Sequence, residues 1–529
     1  MATEGIPAKP DKDALDGDLQ EMFGHPKGLF YLFFAELWER FSFYGMRALL
    51  VLYMTDVLFN GLPNGEELSF VVYAAYGALV YATPFVGGMI ADKLLGYRKA
   101  IILGGIFMAL GHFVLAIENE YAFYIALALI IVGNGFFKPN ISSFVGSLYQ
   151  EGDPRRDGGF TIFYMGINIG AAVAPLLCGW LAVEFGYHWG FGAAGVGMLA
   201  GLIFFWDGMR KGVFGNEGHP PDGKGTVSKM IESVVYVVAF MSVPIFTFLV
   251  WENEYVSWIL YGALIVSIAY VIYIMVSVSK EEAQRVFVVC LLTFFITVFW
   301  SFFEQSGSSL TLFAKYSVDL VLMNAAQTNS INAIFIIVFA VPFSIMWVAL
   351  SKRKMNPYTP IKFALGIAQL GLGFLLFAIS IRFVNESAQV PMIFLVLGYL
   401  LMTTGELFIS PVGLSKVTEL TPKQFVGFMM GVWFLSSAFA HHIAGIIATL
   451  TAGGKAQGTQ TVAEPTFIDG LVEIITGVTA ENALTFTDGM EKLYTYSTVF
   501  SQVGLAAIGF AILALLLSPL MIKWSHGIR

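Results

Sequence analysis

The chain is 529 residues long, and its composition is that of a protein embedded in a membrane. Hydrophobic residues make up 57% and charged residues only 12%, the mean hydropathy is +0.73, and the formal net charge is −8. Soluble domains carry about 25% charged residues, so an ordinary soluble globular protein is excluded. We therefore predict an all-α polytopic membrane protein. The two cysteines are too few for a metal cluster, and we find no nucleophile–base motif, which argues against an enzyme, a metal site or an organic cofactor.

About fourteen transmembrane helices are predicted when about 20 apolar residues are taken as one crossing. In chain order their predicted starts lie near Leu29, Ser69, Arg98, Tyr121, Gly158, Trp189, Met230, Val256, Val286, Asn329, Thr359, Val390, Gln424 and Tyr494. The predicted division is a polar cytoplasmic tail (1–28), an N-terminal six-helix bundle (29–209), a linker with two extra helices (210–282), a C-terminal six-helix bundle (283–523) and a short cytoplasmic tail (524–529). A long outside loop (451–492) precedes the last helix, and its middle part (467–476) is expected to form a short hairpin or helix.

Lysine and arginine are concentrated in every second loop between these helices. Lys93, Arg98 and Lys99 lie in the second loop, for example, whereas Glu118 and Glu120 lie in the third. Cytoplasmic loops carry the excess of positive charge, and a miscounted helix would invert the alternation from that point onward. The pattern therefore predicts that both termini are cytoplasmic. Four residues on the opposite side break it: Lys315, Arg382, Lys455 and Lys492.

The first predicted helix contains ionisable residues inside an apolar run. Glu36, Glu39 and Arg40 lie within about one and a half turns, and Arg47 follows eleven residues after Glu36, close to three whole turns. A charged residue in the middle of a membrane helix costs about 3 kcal/mol on insertion scales. These side chains are therefore expected to face a protein interior or a water-filled path, and the helix lines a site.

The loop between the second and third helices resembles a motif of the major facilitator superfamily. Residues 88–99 read GMIADKLLGYRK and match G-x-x-x-D-x-x-x-G-x-R-[KR] at Gly88, Asp92, Gly96 and Arg98. Asp92 is expected to meet helix dipoles and a basic partner, forming a cytoplasmic gate that breaks when that side opens. The alternative is an ordinary positively charged loop.

The segment Glu36–Tyr44, ELWERFSFY, resembles the E-x-x-E-R-F-x-Y-Y signature of the proton-dependent oligopeptide transporter family. Four further segments agree with that family: GNGFFKPN (133–140), YMGINIG (164–170), FWSFFEQ (299–305) and GELFISPVGLS (405–415). The resemblance runs from about residue 28 to the end of the last helix. It implies a major facilitator fold of two six-helix bundles, with two extra central helices as in bacterial members. The sequence departs at Phe43, where the signature has its first Tyr.

Buried charges of both signs suggest what such a site would bind. Arg47 and Lys138 lie in the N-terminal half, Glu304 and Glu406 in the C-terminal half, and Lys138–Glu406 and Arg47–Glu304 are candidate pairs between the halves. Two cations facing two acids suit a zwitterion, with its carboxylate toward Arg47 and Lys138 and its amine toward Glu304 and Glu406. The resemblance implies the same assignment for di- and tripeptides. It implies the following peptide-binding residues: Tyr44, Arg47, Tyr81, Lys138, Asn168, Trp300, Glu304, Asn332, Glu406, Ser410 and Trp433.

The expected mechanism is alternating access coupled to protons, the only cofactor-like species predicted. Proton coupling is expected from buried carboxylates and their cationic partners: Glu36, Glu39, Arg40, Arg47, Lys138, Glu304 and Glu406. His112, His188, His441 and His442 are interpreted as lying at or near predicted helix ends and not as proton carriers. The lipid bilayer is the remaining partner, and neither nucleic acid nor an obligatory protein partner is expected. The short loop at 382–390 lacks the large outside domain of animal relatives and favours a bacterial inner membrane.

Several alternatives remain open at this level. A carrier of another small zwitterion, of an anion such as nitrate, or of a drug would share the fold. The ion pairs could be structural, although buried pairs rarely add net stability. Asn168 and Asn332 could bridge helices, worth about 0.6 kcal/mol each. Trp300, Trp433 and Tyr81 could be core or lipid-facing residues.

Overall fold

The computed structural model describes residues 21–150, 152–220, 229–453, 466–483 and 486–528. The predicted tail before residue 21, the part of the linker at 221–228 and the part of the outside loop at 454–465 lie outside the described residues. The described helices are α1 (Lys27–Tyr53), α2 (Gly65–Ile90), α3 (Gly96–Leu115), α4 (Glu120–Ser147), α5 (Arg156–Phe185), α6 (Tyr187–Arg210), α7 (Lys229–Trp251), α8 (Glu254–Ser277), α9 (Lys280–Phe303), α10 (Ser309–Ser317), α11 (Ser330–Lys352), α12 (Thr359–Ile379), α13 (Met392–Leu420), α14 (Val426–Thr449), α15 (Phe467–Thr476), α16 (Ala480–Ala483) and α17 (Asp488–Trp524).

The prediction of an all-α polytopic protein is confirmed. Thirteen described segments are long and apolar enough to cross a membrane, and one of them, Gly65–Leu115, contains both α2 and α3. Counting those two helices separately gives the fourteen crossings that the sequence predicts. Strands are limited, among the described residues, to two short pairs: β1 (Glu21–Met22) with β2 (His25–Pro26), and β3 (Val318–Asp319) with β4 (Val390–Pro391).

The helices pack as two groups that meet along two seams. In the first group α1 packs on α5 and α6, and α3 packs on α4; in the second, α12 packs on α13 and α17. The groups touch where α2 packs along α14 and where α5 packs along α11. Small residues allow α2 and α14 to approach closely at the first seam. Gly445 of α14 faces Ala74 of α2, and Gly77 of α2 faces His441 of α14. The site described below lies between these two seams.

The two central helices, α7 and α8, have a different environment. Many of their large apolar side chains are exposed, for example Ile265 at 68% and Val276 at 77%. An exposed apolar surface of this extent is what a bilayer would cover. One end of α7 is joined to the first group, because the Lys99 ammonium lies 2.5 Å from the Glu232 carboxylate.

The ninth crossing, which begins with α9, is broken inside its apolar stretch. Helix α9 begins with a capping box, in which Ser279 and Glu282 satisfy each other's backbone N–H groups, and ends at Phe303. A short 3₁₀ turn, Glu304–Gly307, and Ser308 separate it from α10. Non-helical backbone at membrane depth is tolerated only where protein or a cavity satisfies its polar groups. The break places Glu304 at such a position.

The segment 467–476, left open between hairpin and helix by the sequence, is helix α15. Thr466 caps it by accepting from the Asp469 N–H at 3.2 Å, and Gly477, at φ 72°, ends it in the left-handed conformation. Arg382 holds the helix in place by donating to the carbonyl oxygens of Ile474 and Ile475. One of the four cations that break the charge pattern therefore caps a loop helix.

Candidate functional site

The first part of the site is a buried cluster on α1. The Arg40 Nε lies 3.0 Å from a carboxylate oxygen of Glu36 and 2.5 Å from one of Glu39, and the three residues are 3%, 2% and 0% exposed. Two carboxylates thus share one guanidinium. Phe43, the departure from the family signature, lies under the same guanidinium, with Arg40 Cζ 5.6 Å from its ring centre. The cluster holds an excess of one negative charge unless another cation or a proton compensates it.

The second part is an ion pair between the two halves. Arg47 of α1 donates from Nη2 to Glu304 Oε2 at the break after α9, and its Nε donates to the Tyr73 hydroxyl of α2 at 2.7 Å. Both charged side chains are largely buried, at 11% and 7% exposure. Of the two cross-half pairs that the sequence suggests, this one is formed.

The third part is a buried acid on α13. Glu406 is 8% exposed and accepts a hydrogen bond from Asn332 Nδ2 of α11 at 3.1 Å. The same amide donates to Thr403 Oγ1 at 3.0 Å. Asn332 therefore fixes the position of the Glu406 carboxylate. No cation lies within 4 Å of Glu406 among the described residues.

The fourth part is Lys138 on α4, where Pro139 follows inside the helix. The Lys138 ammonium lies 4.1 Å from the ring centre of Tyr81, a distance typical of a cation–π contact. Within the described chain it has no carboxylate within 4 Å, so the predicted Lys138–Glu406 pair is not formed in this structure.

A cavity connects the Arg47–Glu304 pair with Glu406. Its empty volume is about 940 Å³, counting the space that opens to solvent. Eight of the eleven predicted peptide-binding residues line it: Tyr44, Arg47, Tyr81, Asn168, Trp300, Glu304, Asn332 and Glu406. Tyr164 and Tyr399 line it as well and were not singled out in the sequence. The cavity wall thus combines aromatic rings, amides and charges of both signs.

The other three predicted residues are not among those that line the cavity. Lys138 contacts the wall through Tyr81. Ser410 lies one turn after Glu406 on α13, and its hydroxyl is buried without a hydrogen-bond partner among the described residues. Trp433 packs against Gly413, where a Cβ atom would come within 2.6 Å of the indole. The sequence grouped these residues with the site, and of the three the structure shows a contact with the cavity wall for Lys138.

Two residues of the site were missed in the sequence. Tyr73 holds Arg47, and only the tertiary contact distinguishes it from the other tyrosines of α2. The interpretation of His441 as a helix-end residue is wrong. His441 lies well inside α14, is 4% exposed, and has its Nε2 3.7 Å from Glu304 Oε1.

The loop motif between α2 and α3 is arranged around the sixth loop. Arg98 donates to the carbonyl oxygens of Gly215 and Glu217, both at 2.7 Å. Gly96 has φ 74°, and a Cβ there would come within 2.7 Å of the backbone of His219 and Pro220. Gly88 faces Pro139 at ordinary contact distance, and Asp92 is exposed with no ion pair to another described residue.

The side of the molecule away from the termini carries two further ion pairs between the halves. Lys315, at the end of α10, donates to Asp56, which also accepts from the Tyr187 hydroxyl at 2.7 Å. Lys492 of α17 donates to Glu66 of α2. These are two of the four cations that break the loop charge pattern, so pairing accounts for them; Lys455 lies outside the described residues.

Sequence comparison places the chain among known transporters. The sequence profile of the POT family matches residues 98–463. Transporter YclF of Bacillus subtilis, named as uncharacterized, is 38% identical over 81% of this chain and 88% of that protein. Peptide transporter YePEPT of Yersinia enterocolitica is 38% identical over 84% and 90%. The di-/tripeptide transporter of Lactococcus lactis is 34% identical over 86% and 94%.

Solved structures agree over nearly the whole chain. A crystal structure of the peptide transporter POT in complex with sulfate has a TM-score of 0.76 and 34% identity, covering 96% of this chain and 97% of that one. A mutant of the same transporter in complex with alafosfalin has a TM-score of 0.74 at the same identity and coverage. The prediction of a major facilitator fold is therefore confirmed.

Proposed function

This chain belongs to the POT family of transporters, and from that premise we propose that it imports di- and tripeptides together with protons by alternating access. It is a transport protein and not an enzyme. The peptide assignment is supported by the peptide transporters among its relatives and by the charges in the cavity.

One observation carries the choice of substrate. Lys138 comes from the first group of helices and Glu406 from the second, and neither has an opposite charge within 4 Å among the described residues. A buried charge without a partner is costly, so a ligand that brings one charge of each sign is favoured. A peptide carries a carboxylate at one end and an ammonium at the other. The site therefore suits a zwitterion better than nitrate or a singly charged drug.

The peptide is proposed to lie between the two groups of helices. Its carboxylate is directed toward Arg47 and Lys138, and its amine toward Glu304 and Glu406. Tyr44, Tyr81, Asn168 and Asn332 supply hydrogen bonds to the backbone. Trp300, Ser410 and Trp433 surround the peptide side chains, where aromatic surfaces accept varied shapes.

Proton coupling is proposed to act through the Arg47–Glu304 pair and the Glu36, Glu39 and Arg40 cluster. A proton on Glu304 removes the charge that holds Arg47, so it weakens a contact joining the two halves. The α1 cluster has one more acid than Arg40 can neutralise, and a proton there changes its attraction to Lys138. We propose that the proton binds from outside and leaves inside with the peptide.

The proposed placement is a bacterial inner membrane, and the loop charges support an orientation with both termini in the cytoplasm. With that orientation, the ion pairs Lys315–Asp56 and Lys492–Glu66 lie on the outer side and hold it closed. The Arg47–Glu304 pair lines the cavity itself. The arrangement corresponds to the half of the transport cycle in which the outer side is shut.

Uptake of labelled Ala-Ala into proteoliposomes tests the proposal. With an inside-negative potential and an inward pH gradient, we expect accumulation that a protonophore abolishes and that tripeptides, but not glucose, nitrate or free alanine, compete away. Counterflow exchange of Ala-Ala in the same vesicles is the control for folded protein. Exchange without proton-driven accumulation would refute the coupling. If folded protein shows neither exchange nor accumulation, the peptide substrate is refuted.

A further inference from the structure

His441 is buried in the site although the proposed mechanism does not use it. Its ring stacks on Tyr81 of α2, with ring centres 4.7 Å apart and planes 30° apart. Its Nε2 lies 3.7 Å from Glu304 Oε1, the carboxylate oxygen that Arg47 does not hold. Its Nδ1 is buried and has no hydrogen-bond partner among the described residues. An unpartnered buried polar atom is costly in either protonation state of the ring, so the position of this imidazole needs an explanation.

The opposite helix is shaped around this ring. A Cβ atom at Gly77 would lie 2.6 Å from His441 Nδ1 and 2.8 Å from its Cγ, so any larger residue would displace the ring. Tyr81 follows one turn later on α2 and supplies the stacking surface. Gln305 also ties the Glu304 turn to α14, by donating to the Ala444 carbonyl at 2.9 Å. Three elements thus converge to place the imidazole beside the Glu304 carboxylate.

The charged groups that act on His441 come from three directions. Glu304 faces it from the break after α9, Arg47 of α1 is held on the far oxygen of that carboxylate, and Lys138 of α4 contacts the same Tyr81 ring. From α2 the titratable groups are Tyr81 itself and Tyr73, which is hydrogen-bonded to Arg47. His441 is therefore in contact with both the Arg47–Glu304 pair and the surroundings of Lys138.

We propose that His441 and Glu304 hold the coupling proton together. This inference rests on the proposed symport. A proton arriving from the outer solution resides on the Glu304 carboxyl group or on the His441 imidazole, which lie side by side. On Glu304 it removes the charge that attracts Arg47. On His441 it creates a second cation that competes with Arg47 for the carboxylate and repels Lys138 across the Tyr81 ring. Either position loosens the cross-half pair, and departure of the proton to the inner solution restores it.

The pH dependence of transport tests this role. His441→Gln keeps a polar side chain of similar reach but removes the imidazole, the second group beside Glu304 that can accept the proton. We expect the midpoint of Ala-Ala uptake, measured between about pH 5 and about pH 8 and normalised to each variant's own maximum, to move by about one pH unit toward acid. His442→Gln is the matched control, because His442 lies 3.3 Å from the Tyr261 hydroxyl of α8 and not at the site. Its profile should coincide with that of the unaltered protein.

Gly77→Ala provides a second perturbation without removing the histidine. Its methyl group must displace the ring from its place beside Glu304, so the same acid shift is expected. Counterflow exchange of Ala-Ala shows which variants are folded and bind peptide. An unshifted profile in an exchanging His441→Gln variant would overturn the inference and leave the symport intact. If that variant does not exchange, an unshifted Gly77→Ala profile overturns it instead. Failure of the unaltered protein to show proton-driven uptake refutes the proposed function itself.

Discussion

Replacing Glu304 by Gln separates transport of the peptide from its coupling to protons. The substitution keeps the size of the side chain but removes the charge that Arg47 holds across the two halves. Arg47 retains the Tyr73 hydroxyl as a hydrogen-bond partner and loses its only carboxylate within 4 Å among the described residues. His441 likewise loses the carboxylate beside its Nε2.

The size of the effect follows from the burial of the pair. Because Arg47 and Glu304 are 11% and 7% exposed, the small values typical of surface ion pairs do not apply. Removing one partner of a buried pair costs about 3–5 kcal/mol. That penalty falls on the conformation seen here, in which the pair is closed. A change of about 3 kcal/mol moves a two-state equilibrium by more than about 100-fold, so the variant should favour the outward-open state.

Accumulation of peptide measures the coupling directly. One proton carried with a zwitterionic peptide moves one positive charge inward, which gains about 2.3 kcal/mol at about 100 mV. Because about 1.4 kcal/mol corresponds to a tenfold concentration ratio, Ala-Ala should accumulate about 50-fold in proteoliposomes of the unaltered protein. For Glu304→Gln we expect a ratio of about one, while counterflow exchange persists.

An acid outside the site supplies the control. Glu252 is exposed in the turn between α7 and α8, and Glu252→Gln removes the same charge without touching the cavity. This variant should accumulate Ala-Ala like the unaltered protein. Full accumulation by Glu304→Gln would refute the assignment of Glu304 to proton coupling. Loss of accumulation by Glu252→Gln would mean that total charge, and not the site, sets the result.

Three further predictions address binding, the outer side and folding. Asn332→Ala frees the Glu406 carboxylate, and loss of a hydrogen bond to a charged group predicts about 1.5–3 kcal/mol weaker Ala-Ala binding by titration calorimetry, with little change for a peptide whose amine is acetylated. Asp56→Lys breaks the Lys315–Asp56 pair and should raise labelling of the cavity from outside. Adding Lys315→Asp restores a pair of opposite charges and should reverse most of that increase. If it does not, the Lys315–Asp56 pair does not close the outer side. Gly96→Ala should lower the thermal midpoint and the yield of folded protein, because φ at this residue is 74° and the added methyl group meets the sixth loop. An unchanged thermal midpoint would contradict this structural role of Gly96.

The helices and their order could be predicted from sequence because each is specified locally. Apolar runs of membrane length give the crossings, and alternating loop charge checks their number. The charged residues of the site were also recognisable, since Glu36, Arg47, Lys138, Glu304 and Glu406 are costly in lipid wherever they are placed. The predicted starts agree with the observed helices within a few residues, except where a helix extends beyond its apolar part, as α17 does by beginning at Asp488.

The remaining features depend on contacts between distant segments. Lys315 and Lys492 appear in sequence as exceptions to the charge rule, and only the fold shows that each meets an acid of the first group of helices. His441 belongs to a pattern of two adjacent histidines that face opposite directions, one toward Glu304 and one toward α8. Helical periodicity separates their faces but does not say which face meets the cavity.

Of the two candidate ion pairs between the halves, one is formed and the other is not. This difference suggests how peptide release resets the carrier. Arg47–Glu304 is closed on the proposed outer side, whereas Lys138 and Glu406 are each without an opposite charge within 4 Å among the described residues. A bound peptide would neutralise both with its own termini. Once the peptide leaves, Glu406 and Lys138 are again without an opposite charge within 4 Å among the described residues, and only the more distant carboxylates of the α1 cluster and of Glu304 attract Lys138. The conformation that brings Lys138 and Glu406 together then becomes the more favourable one. The empty site would thereby drive closure of the inner side, and a proton taken up by Glu304 and His441 would open the outer one.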